Sequence, residues 1–469
     1  MRLGTKLIFI LIILTLTMMT SAATLNRPAL LETPSTIYLP LVANQYPLIT
    51  RFGVDGKSSF DKMQAAGVTW LRLNSQLNWS VIQPTKDVLP DWGKALGVET
   101  SLIDAAQKGL KVILVIQGAP TWARKYEGSA CGPIRETELA SFGDFLYQVV
   151  QRYSQPPYNV DYYQIWNEPD APFNIEATVY GCWGEDPNNT DVTFGGKYYG
   201  AMLAQVYPRI KAANPSAQLV MGSLLMMCNP RDDNPGGSCQ FPDNRKPASF
   251  FEGVVETAGG AFDVVMFNSG TSYSVGENPV WLEMNNLRWR IEFGGLVNGK
   301  IAYLRDVMAA KGFDRPIIHS EAYFLDRPLD LEPFEEYKAD YLVWVYANGW
   351  SQNLKSVIWY AIEGWKGSEL ITSTGGETKA YQALKTMIGL LQKADYVSRE
   401  DSGGYTRFIF RTIWEDIWLL VPTGEVYGIS YNITIPPNFS RAVDIYGQEL
   451  TVSGDTIGFS RPLYVIVNH

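Results

Sequence analysis

Short apolar stretches alternate with longer stretches of helical periodicity from about residue 48 to residue 395. The apolar stretches have the length of β-strands, and the stretches between them repeat their apolar positions every three or four residues. Strands are predicted at 48–54, 68–73, 111–116, 161–165, 218–222, 262–267, 316–320 and 356–360. Helices are predicted at 60–66, 102–107, 136–153, 198–213, 250–257, 299–312, 334–348 and 379–391.

This alternation predicts an α/β fold, a (β/α)8 TIM barrel over residues 48–395. Each helix returns the chain to the same end of the sheet, so successive strands run parallel and eight units close into a barrel. The structural alternative is an open, doubly wound sheet. The glycine-rich phosphate turn typical of such sheets does not follow the first predicted strand, which favours the barrel.

The periodicity changes after about residue 395. Glycine and proline pairs separate short runs rich in Ile, Val, Tyr and Phe, of which 407–413, 417–421 and 463–467 are examples. This pattern predicts a small antiparallel β-sandwich over residues 396–469 that packs on the barrel. Its role is either structural support or sugar binding.

The first residues have the pattern of an exported protein. Arg2 and Lys6 precede an apolar run at 7–19, and small residues follow it. The run is too short for a spanning helix, so residues 1–23 are predicted to be a signal peptide cleaved after Ala22 or Ala23. An uncleaved membrane anchor is the alternative. Residues 24–47 are predicted to be a linker, and the mature protein is expected to be secreted, without stable insertion in a membrane.

Composition narrows the choice of partner. The formal charge is −9, which argues against a nucleic-acid partner, and 13% of the residues are aromatic. Aromatic rings stack on the apolar faces of sugars, so a carbohydrate is the expected partner, although most such rings belong to the core of a protein. The oligomeric state cannot be predicted from these features.

The cysteines are interpretable if the chain is exported. An oxidising compartment favours two disulfides, with Cys228 and Cys239 closing a short loop and Cys131 and Cys182 joining two longer loops. A zinc site is disfavoured because the chain has two histidines and no Cys-x-x-Cys sequence. Neither a metal nor an organic cofactor is expected.

Two carboxyl groups are the candidate chemistry. Glu168 follows Trp166 and Asn167 at the end of the fourth predicted strand, and Glu321 ends the seventh. In a parallel barrel these strand ends open on one face, where the two side chains can face each other. Glycoside hydrolysis requires two such carboxyl groups, one protonated and one ionised. Glu363, after the eighth strand, is a rival for the second position.

This arrangement resembles the clan A retaining glycoside hydrolases, among which families 5 and 39 are the most similar. The resemblance covers most of residues 48–469 and depends chiefly on the sequence Trp-Asn-Glu-Pro and on Glu321. Further matching motifs are the strand around Arg72 followed by Trp79 and Pro84, Pro120-x-Trp122, Trp359, Lys379-Ala380-Tyr381, and the segments 444–447 and 462–464.

The resemblance implies a role for each matching residue. Glu168 is expected to be the acid/base and Glu321 the nucleophile. Asn167 is expected to hydrogen-bond the 2-hydroxyl of the sugar. Arg72 is expected to lie near Glu321 and to favour its ionised form.

Four further residues are expected to bind substrate. Tyr273 is expected to donate a hydrogen bond to Glu321, and Trp359 to form the floor of the reactive subsite. Trp122 is expected in the loop after the third strand. The chain departs from the family where Phe267, Asn268 and Ser269 stand in place of a sixth-strand histidine. It also lacks the sugar-binding histidines of family 5, for which Gln117 is the expected substitute.

The resulting hypothesis is a secreted retaining β-glycosidase that acts on polysaccharide or oligosaccharide by double displacement. A non-catalytic carbohydrate-binding protein on the same barrel is the alternative, since the sixth-strand histidine is missing. A metal-dependent hydrolase is disfavoured by the small number of histidines. The sugar, the linkage and the choice between internal and chain-end cleavage depend on loops whose sequences do not decide them.

Overall fold

The computed structural model describes residues 51–126, 133–171, 183, 191, 193–227, 229–232, 249–328 and 331–469. The predicted signal peptide, the linker 24–47 and the four cysteines lie outside these residues and stay predictions. Within the described part of the chain, no helix combines the length and the apolar character that crossing a bilayer requires.

A parallel sheet of eight strands forms the body of the molecule. The strands are β1 Phe52–Gly56, β2 Trp70–Asn78, β3 Lys111–Gln117, β4 Tyr162–Asn167, β5 Gln218–Ser223, β6 Val265–Ser272, β7 Ile317–Leu325 and β8 Ser356–Trp359. Their spatial order follows the chain, with β1 beside β8. Parallel bridges from Val220 to Val264 and from Leu224 to Phe267 connect β5 to β6. The predicted TIM barrel is therefore confirmed.

Helices surround the sheet. They are α1 Phe60–Ala66, α2 Trp79–Ile82, α3 Leu96–Gln107, α4 Leu139–Tyr153, α5 Phe194–Ala213, α6 Phe250–Ala258, α7 Pro279–Met284, α8 Gly295–Ala309, α9 Leu331–Ser351 and α10 Lys379–Leu391. Strands β2, β6 and β7 continue several residues beyond their predicted ends. Each contains a register shift at that point, so the strand continues where its apolar run stops.

The interior of the barrel is filled by one side chain or two from most strands, including Trp70, Tyr162, Val264 and Ile358. At the end where the strands begin, the Trp70 and Tyr162 rings meet edge to face with centroids 4.8 Å apart. The Lys111 ammonium lies 4.9 Å from the Trp70 ring centroid and caps this end. We call this end the floor of the barrel and the opposite end the mouth.

The residues after α10 form antiparallel strands, as predicted. These are β9 Asp395–Ser402, β10 Tyr405–Arg411, β11 Glu415–Pro422, β12 Tyr431–Thr434, β13 Phe439–Asp444, β14 Glu449–Leu450, β15 Thr456–Phe459 and β16 Leu463–Asn468. Six of them form one sheet in the order β14-β13-β16-β11-β10-β9, and β12 pairs with β15. We call these strands the β module.

The β module and the barrel share one hydrophobic core. Phe408, Phe410 and Leu419 of the module belong to the same buried cluster as the barrel's outer layer, and Phe410 lies 5.0 Å from Trp350 of α9. A buried polar contact adds to this interface, where Arg461 donates to both carboxylate oxygens of Asp340 at 2.8 and 3.1 Å. Burial of this kind stabilises both partners together.

The module also contacts the mouth of the barrel. The amide of Asn278, after β6, donates to the carbonyl of Glu425 at 2.7 Å, and the amide of Tyr427 donates to Gly276 at 2.9 Å. The Tyr427 ring stacks on Tyr337 of α9 with centroids 3.6 Å apart. The loop after β6 is therefore held in place by the module.

Candidate active site

Strand β4 delivers Glu168 to the mouth through a backbone that departs from regular strand geometry. Trp166 and Glu168 both have positive φ, 71° and 45°, which is uncommon for residues with side chains. Trp166 is completely buried against Trp183, with ring centroids 5.2 Å apart, and against Phe142 at 6.3 Å. This packing secures the conformation that presents the next two side chains to the mouth.

Strand β7 places Glu321 beside Arg72 of β2. One guanidinium nitrogen, Nη1, donates to Glu321 Oε1 at 2.8 Å, and both side chains are almost completely buried. Arg72 Nη2 donates to Asn167 Oδ1 at 2.7 Å, and Nε donates to Gln164 Oε1 at 2.8 Å. Arg72 thus joins the ends of three strands and supplies the positive charge that an ionised Glu321 requires.

The structure brings the two candidate carboxyl groups together through Asn268 of β6. Asn268 pairs in register with Glu321 on the neighbouring strand, and its Nδ2 donates to Glu168 Oε1 at 2.8 Å. Asn268 also opposes the rise that burial causes in the pKa of Glu321. Asn268 therefore bonds Glu168 directly and lies opposite Glu321 on the neighbouring strand, which brings both carboxyl groups to one part of the mouth.

The surroundings separate the two carboxyl groups electrostatically. Burial raises the pKa of Glu168, and the negative charge of Glu321 raises it further. Burial also raises the pKa of Glu321, but Arg72 opposes that rise by direct contact. Of the two, Glu321 therefore ionises first, and Glu168 keeps its proton.

Asn167 is held by two donors. Its Oδ1 accepts from Arg72 and, at 2.7 Å, from the Ser223 hydroxyl of β5. With the carbonyl oxygen occupied, the amide nitrogen remains the group to offer a ligand in the mouth. This orientation suits donation to a hydroxyl group, the contact that the resemblance implies.

The eighth strand presents Tyr360 to the mouth instead of Trp359, so the expectation for Trp359 is corrected. Trp359 is completely buried on the outer side of the barrel, where its Nε1 donates to Ser368 O at 2.8 Å and its ring lies 6.3 Å from Tyr341 of α9. Side chains alternate across a strand, so the following residue faces inward. Tyr360 OH lies 3.4 Å from Asn74 Nδ2.

An aromatic wall beside Glu321 consists of Tyr323, Tyr360 and Trp365. The Trp365 ring meets Tyr360 edge to face at 5.1 Å and Tyr323 at 5.6 Å. Burial raises the pKa of Tyr323, and the negative charges of Glu321 and Glu168 raise it further. Rings at this position offer apolar surface at the mouth.

Tyr273 also lies away from its expected place. Its ring packs against Phe334 and Tyr337 of α9, with centroids 5.8 and 5.1 Å away. Within the described residues, the side chain that donates a hydrogen bond to Glu321 is Arg72, so the expected bond from Tyr273 is corrected. The residues that follow β6, Tyr273 among them, are thus part of the contact with α9 and the β module.

Trp122 and Gln117 lie on the β3 side of the mouth. Trp122 is partly buried against Trp79, with ring centroids 5.1 Å apart, and Lys86 lies over its outer face. Gln117 ends β3 and donates to Gln76 Oε1 of β2. Both lie on the β3 side of the mouth, and their contact with substrate stays a prediction.

Contacts with other groups hold His319, the histidine inside the barrel, and Glu363, the alternative candidate for the second carboxyl group. His319 is completely buried, stacks on Phe267 at 4.6 Å and bonds to the carbonyl of Ser269 at 2.8 Å. Burial lowers the pKa of His319 to about 3, so the ring is neutral. Glu363 accepts hydrogen bonds from Ser58 and Ser59 after β1, which orients it away from the pair.

Sequence reasoning missed three residues that organise the site, Asp55, Asn268 and Lys300. Asp55, on β1, contacts Arg72, and Lys300 Nζ from α8 donates to the carbonyls of Asn268 and Leu225 at 2.9 and 2.7 Å. Lys300 thereby holds the strand segment that carries Asn268. A charged residue inside an apolar run, as Asp55 is in its strand, was the available signal.

No protein-family model matches the chain, and no curated protein matches it in sequence. Solved structures do. A family 39 glycoside hydrolase from Bacteroides cellulosilyticus WH2 has a TM-score of 0.63 at 18% identity, covering 90% of this chain and 81% of that one.

A GH30 endoxylanase from Clostridium papyrosolvens C71 has a TM-score of 0.55 at 13% identity, over 90% and 97% of the two chains. A monomeric β-xylosidase from Caulobacter crescentus CB15 has 0.51 at 13%, over 90% and 96%. These similarities confirm the expected resemblance to clan A glycosidases at the level of the fold.

Proposed function

We propose that this protein is a secreted retaining β-glycosidase in which Glu168 is the acid/base and Glu321 the nucleophile. The observation that carries the proposal is the pair of buried carboxyl groups around Asn268, which donates to Glu168 and pairs in register with Glu321, while Arg72 bonds Glu321. Retention is supported by the resemblance of the Trp-Asn-Glu-Pro motif and Glu321 to the clan A retaining glycosidases, since a retaining enzyme uses one carboxyl group as the nucleophile and the other as the acid/base. Secretion is supported by the signal-peptide pattern of residues 1–23.

The first half of the reaction uses the two groups in opposite protonation states. The Glu321 carboxylate, stabilised by Arg72, attacks the anomeric carbon and forms a glycosyl ester as the glycosidic C–O bond breaks. Glu168 gives its proton to the departing oxygen, so the leaving group departs as a neutral alcohol. The raised pKa of Glu168 keeps that proton available near neutral pH.

The second half reverses the proton transfer. Glu168, now a carboxylate, takes a proton from a water molecule as the water oxygen attacks the anomeric carbon and releases Glu321. The amide of Asn167 is placed to bond the 2-hydroxyl of the sugar, a contact that strengthens in the transition state. The net reaction consumes one water molecule and retains the anomeric configuration.

Substrates of the plant-polysaccharide type are the first class to test. The similar structures include proteins described as an endoxylanase and a β-xylosidase. Aryl β-xylosides and β-glucosides, followed by xylan and glucan oligosaccharides, therefore form the initial screen.

Two substitutions test the proposal. Glu321→Ala is expected to reduce kcat on an aryl β-glycoside on the order of 10⁴-fold or more, with azide taking the place of the missing carboxylate and restoring part of the turnover as an α-glycosyl azide. Glu168→Gln is expected to slow substrates with poor leaving groups far more than activated ones, which need less acid assistance. Glu363→Gln is the matched control, because that carboxyl group points away from the pair.

Proton NMR of the first-formed product tests the stereochemistry. Release of the β-anomer supports retention, whereas release of the α-anomer shows that the enzyme inverts. Wild-type activity in both glutamate variants contradicts the assignment of the two residues.

The competing function is a carbohydrate-binding protein without activity. It is favoured by one observation, that Asn268 stands where the resemblance leads one to expect a histidine. Binding of an oligosaccharide in a calorimeter, with the ligand recovered intact by chromatography, decides in its favour.

A further inference from the structure

Arg72 is shared between two carboxylates. Its Nη1 lies 2.8 Å from Glu321 Oε1 and also 2.8 Å from Oδ2 of Asp55, which is completely buried on β1. The other oxygen of Asp55, Oδ1, accepts from Asn74 Nδ2 at 2.8 Å. The guanidinium that stabilises Glu321 is therefore shared between Glu321 and a second acid, Asp55.

The charges around Arg72 do not balance. Asp55, Glu168 and Glu321 face one guanidinium, and the hydroxyl of Tyr360 faces the same cluster from the end of β8. With all three acids ionised, this buried group carries a net charge of −2, which a dry site strongly disfavours. The way in which Arg72 shares its ion pairs between Asp55 and Glu321 thus determines which acid ionises first.

We infer that Asp55 is a positioning residue that acts through Arg72, keeping its guanidinium between two carboxylates instead of paired with Glu321 alone. This role of Asp55 deepens the proposed function, and its effect on catalysis rests on the proposed glycosidase activity. A carboxylate that holds an undivided guanidinium is easier to ionise but less basic, and a less basic carboxylate is a weaker nucleophile. Asp55 sets the balance between these two properties.

The electrostatic surroundings of Asp55 agree with this role. Burial raises the pKa of Asp55 to about 7, with Arg72 opposing the rise and Glu321 adding to it. The effect of Asp55 on Glu321 has the same sign, since two negative charges near one cation raise each other's pKa. Removing the charge of Asp55 is therefore expected to lower the pKa of Glu321.

The experiment replaces Asp55 by its amide in the full chain. Asp55→Asn keeps the shape of the side chain, and rotation of the Asn74 amide preserves the bond between them. Selectively labelled ¹³C-carboxyl glutamate is titrated by NMR, with Glu321→Gln used to assign the Glu321 signal. The Glu321 carboxyl is expected to titrate lower by about one pH unit. The acid limb of the pH profile of kcat/KM is expected to move to lower pH together with this titration. The value of kcat is expected to fall, and KM is expected to stay unchanged.

A matched control separates this effect from general damage. Glu99→Gln removes another buried carboxylate that pairs with an arginine, Arg152 at 2.7 Å, on the outer helices. It is expected to reduce stability while the Glu321 titration and the pH profile stay unchanged. Asn74→Ala, at a half-exposed position, removes a hydrogen bond that keeps Asp55 ionised, and is expected to shift Glu321 downward by less than Asp55→Asn.

The outcomes separate the inference from the proposed function. An unchanged Glu321 titration in Asn74→Ala and in Asp55→Asn, or in Asn74→Ala alone if the other variant does not fold, overturns the role of Asp55. A downward shift in a protein that hydrolyses no glycoside supports the division of Arg72 and rejects the glycosidase. A shift of the acid limb together with the NMR titration supports both.

Discussion

The two ends of the same barrel are built differently. At the floor, Trp70 and Tyr162 fill the interior edge to face under Lys111, and the strands there are in regular register. At the mouth, β2, β6 and β7 each contain a register shift, and Trp166 and Glu168 have positive φ. The irregular backbone is at the end that carries the carboxyl groups.

The difference teaches how one sheet serves two purposes. A regular strand alternates its side chains, and the floor uses this to pack large rings into the barrel. A bulge changes which way a side chain points, and in β7 the extra residue, Ser320, places Glu321 beside Asn268. Stability and chemistry are thus assigned to opposite ends, and substitutions at the two ends should be separable.

The largest effect is expected at the floor. Trp70→Ala removes a completely buried ring from the barrel interior and is expected to cost about 3–5 kcal/mol of unfolding free energy. Chemical denaturation measures this loss. The kcat/KM of the folded protein should remain that of wild type. A large rate loss at unchanged stability would show that the floor is coupled to the chemistry and break the comparison.

At the mouth, Asn268→Ala removes the amide that donates to Glu168 and lies opposite Glu321. Leaving a buried hydrogen-bonding group without its partner costs about 1–3 kcal/mol, so kcat/KM is expected to fall roughly five- to a hundredfold. Steady-state kinetics on an aryl β-glycoside provides the measurement. Asn298→Ala, which removes an amide pair with Asn348 between outer helices, is the control and should leave the rate unchanged.

The pH dependence sharpens the contrast between the two acids. Glu321→Gln removes the negative charge that helps to raise the pKa of Glu168, so that pKa is expected to fall by about one unit. Burial, the larger cause, remains, so the pKa of Glu168 should stay above that of an ordinary glutamate. Carboxyl ¹³C NMR titration measures both parts. An upward shift would contradict the coupling of the two groups.

The smallest effect is expected from the aromatic wall. Trp365→Ala removes the ring that contacts Tyr323 and Tyr360, and an aromatic contact of this kind is worth about 1 kcal/mol. KM is expected to rise about fivefold with little change in kcat. Trp414→Ala, at a position 75% exposed on the β module, is the control. An equal rise in KM for both variants would place sugar binding on the module as well.

Much of the fold was predictable because a buried parallel strand has a strong local signal. All eight strands overlap their predicted apolar windows, and six of them contain most of the window. The ends of β2, β6 and β7 were predicted too early, since polar residues of the mouth interrupt the apolar run while the backbone continues as a strand. Where chemistry enters a strand, the pattern that identifies the strand is lost.

The site residues that stand in a recognisable local sequence pattern could be predicted. Glu168 and Glu321 stand at strand ends, and the topology brings these ends together. Trp359 was misplaced by a single residue, because a strand shows two faces and the sequence does not say which one looks inward. Asp55 and Asn268 could not be assigned, since their roles depend on partners 17 and 100 residues away.

The position of β16 has a consequence for folding while the polypeptide is being synthesised. This strand is the last of the module in chain order, yet it lies between β13 and β11 at the centre of the six-stranded sheet. Until Leu463–Asn468 has left the ribosome, β11 presents an unpaired edge that another nascent chain can join. Slow translation just upstream of this strand is therefore expected to increase aggregation during expression.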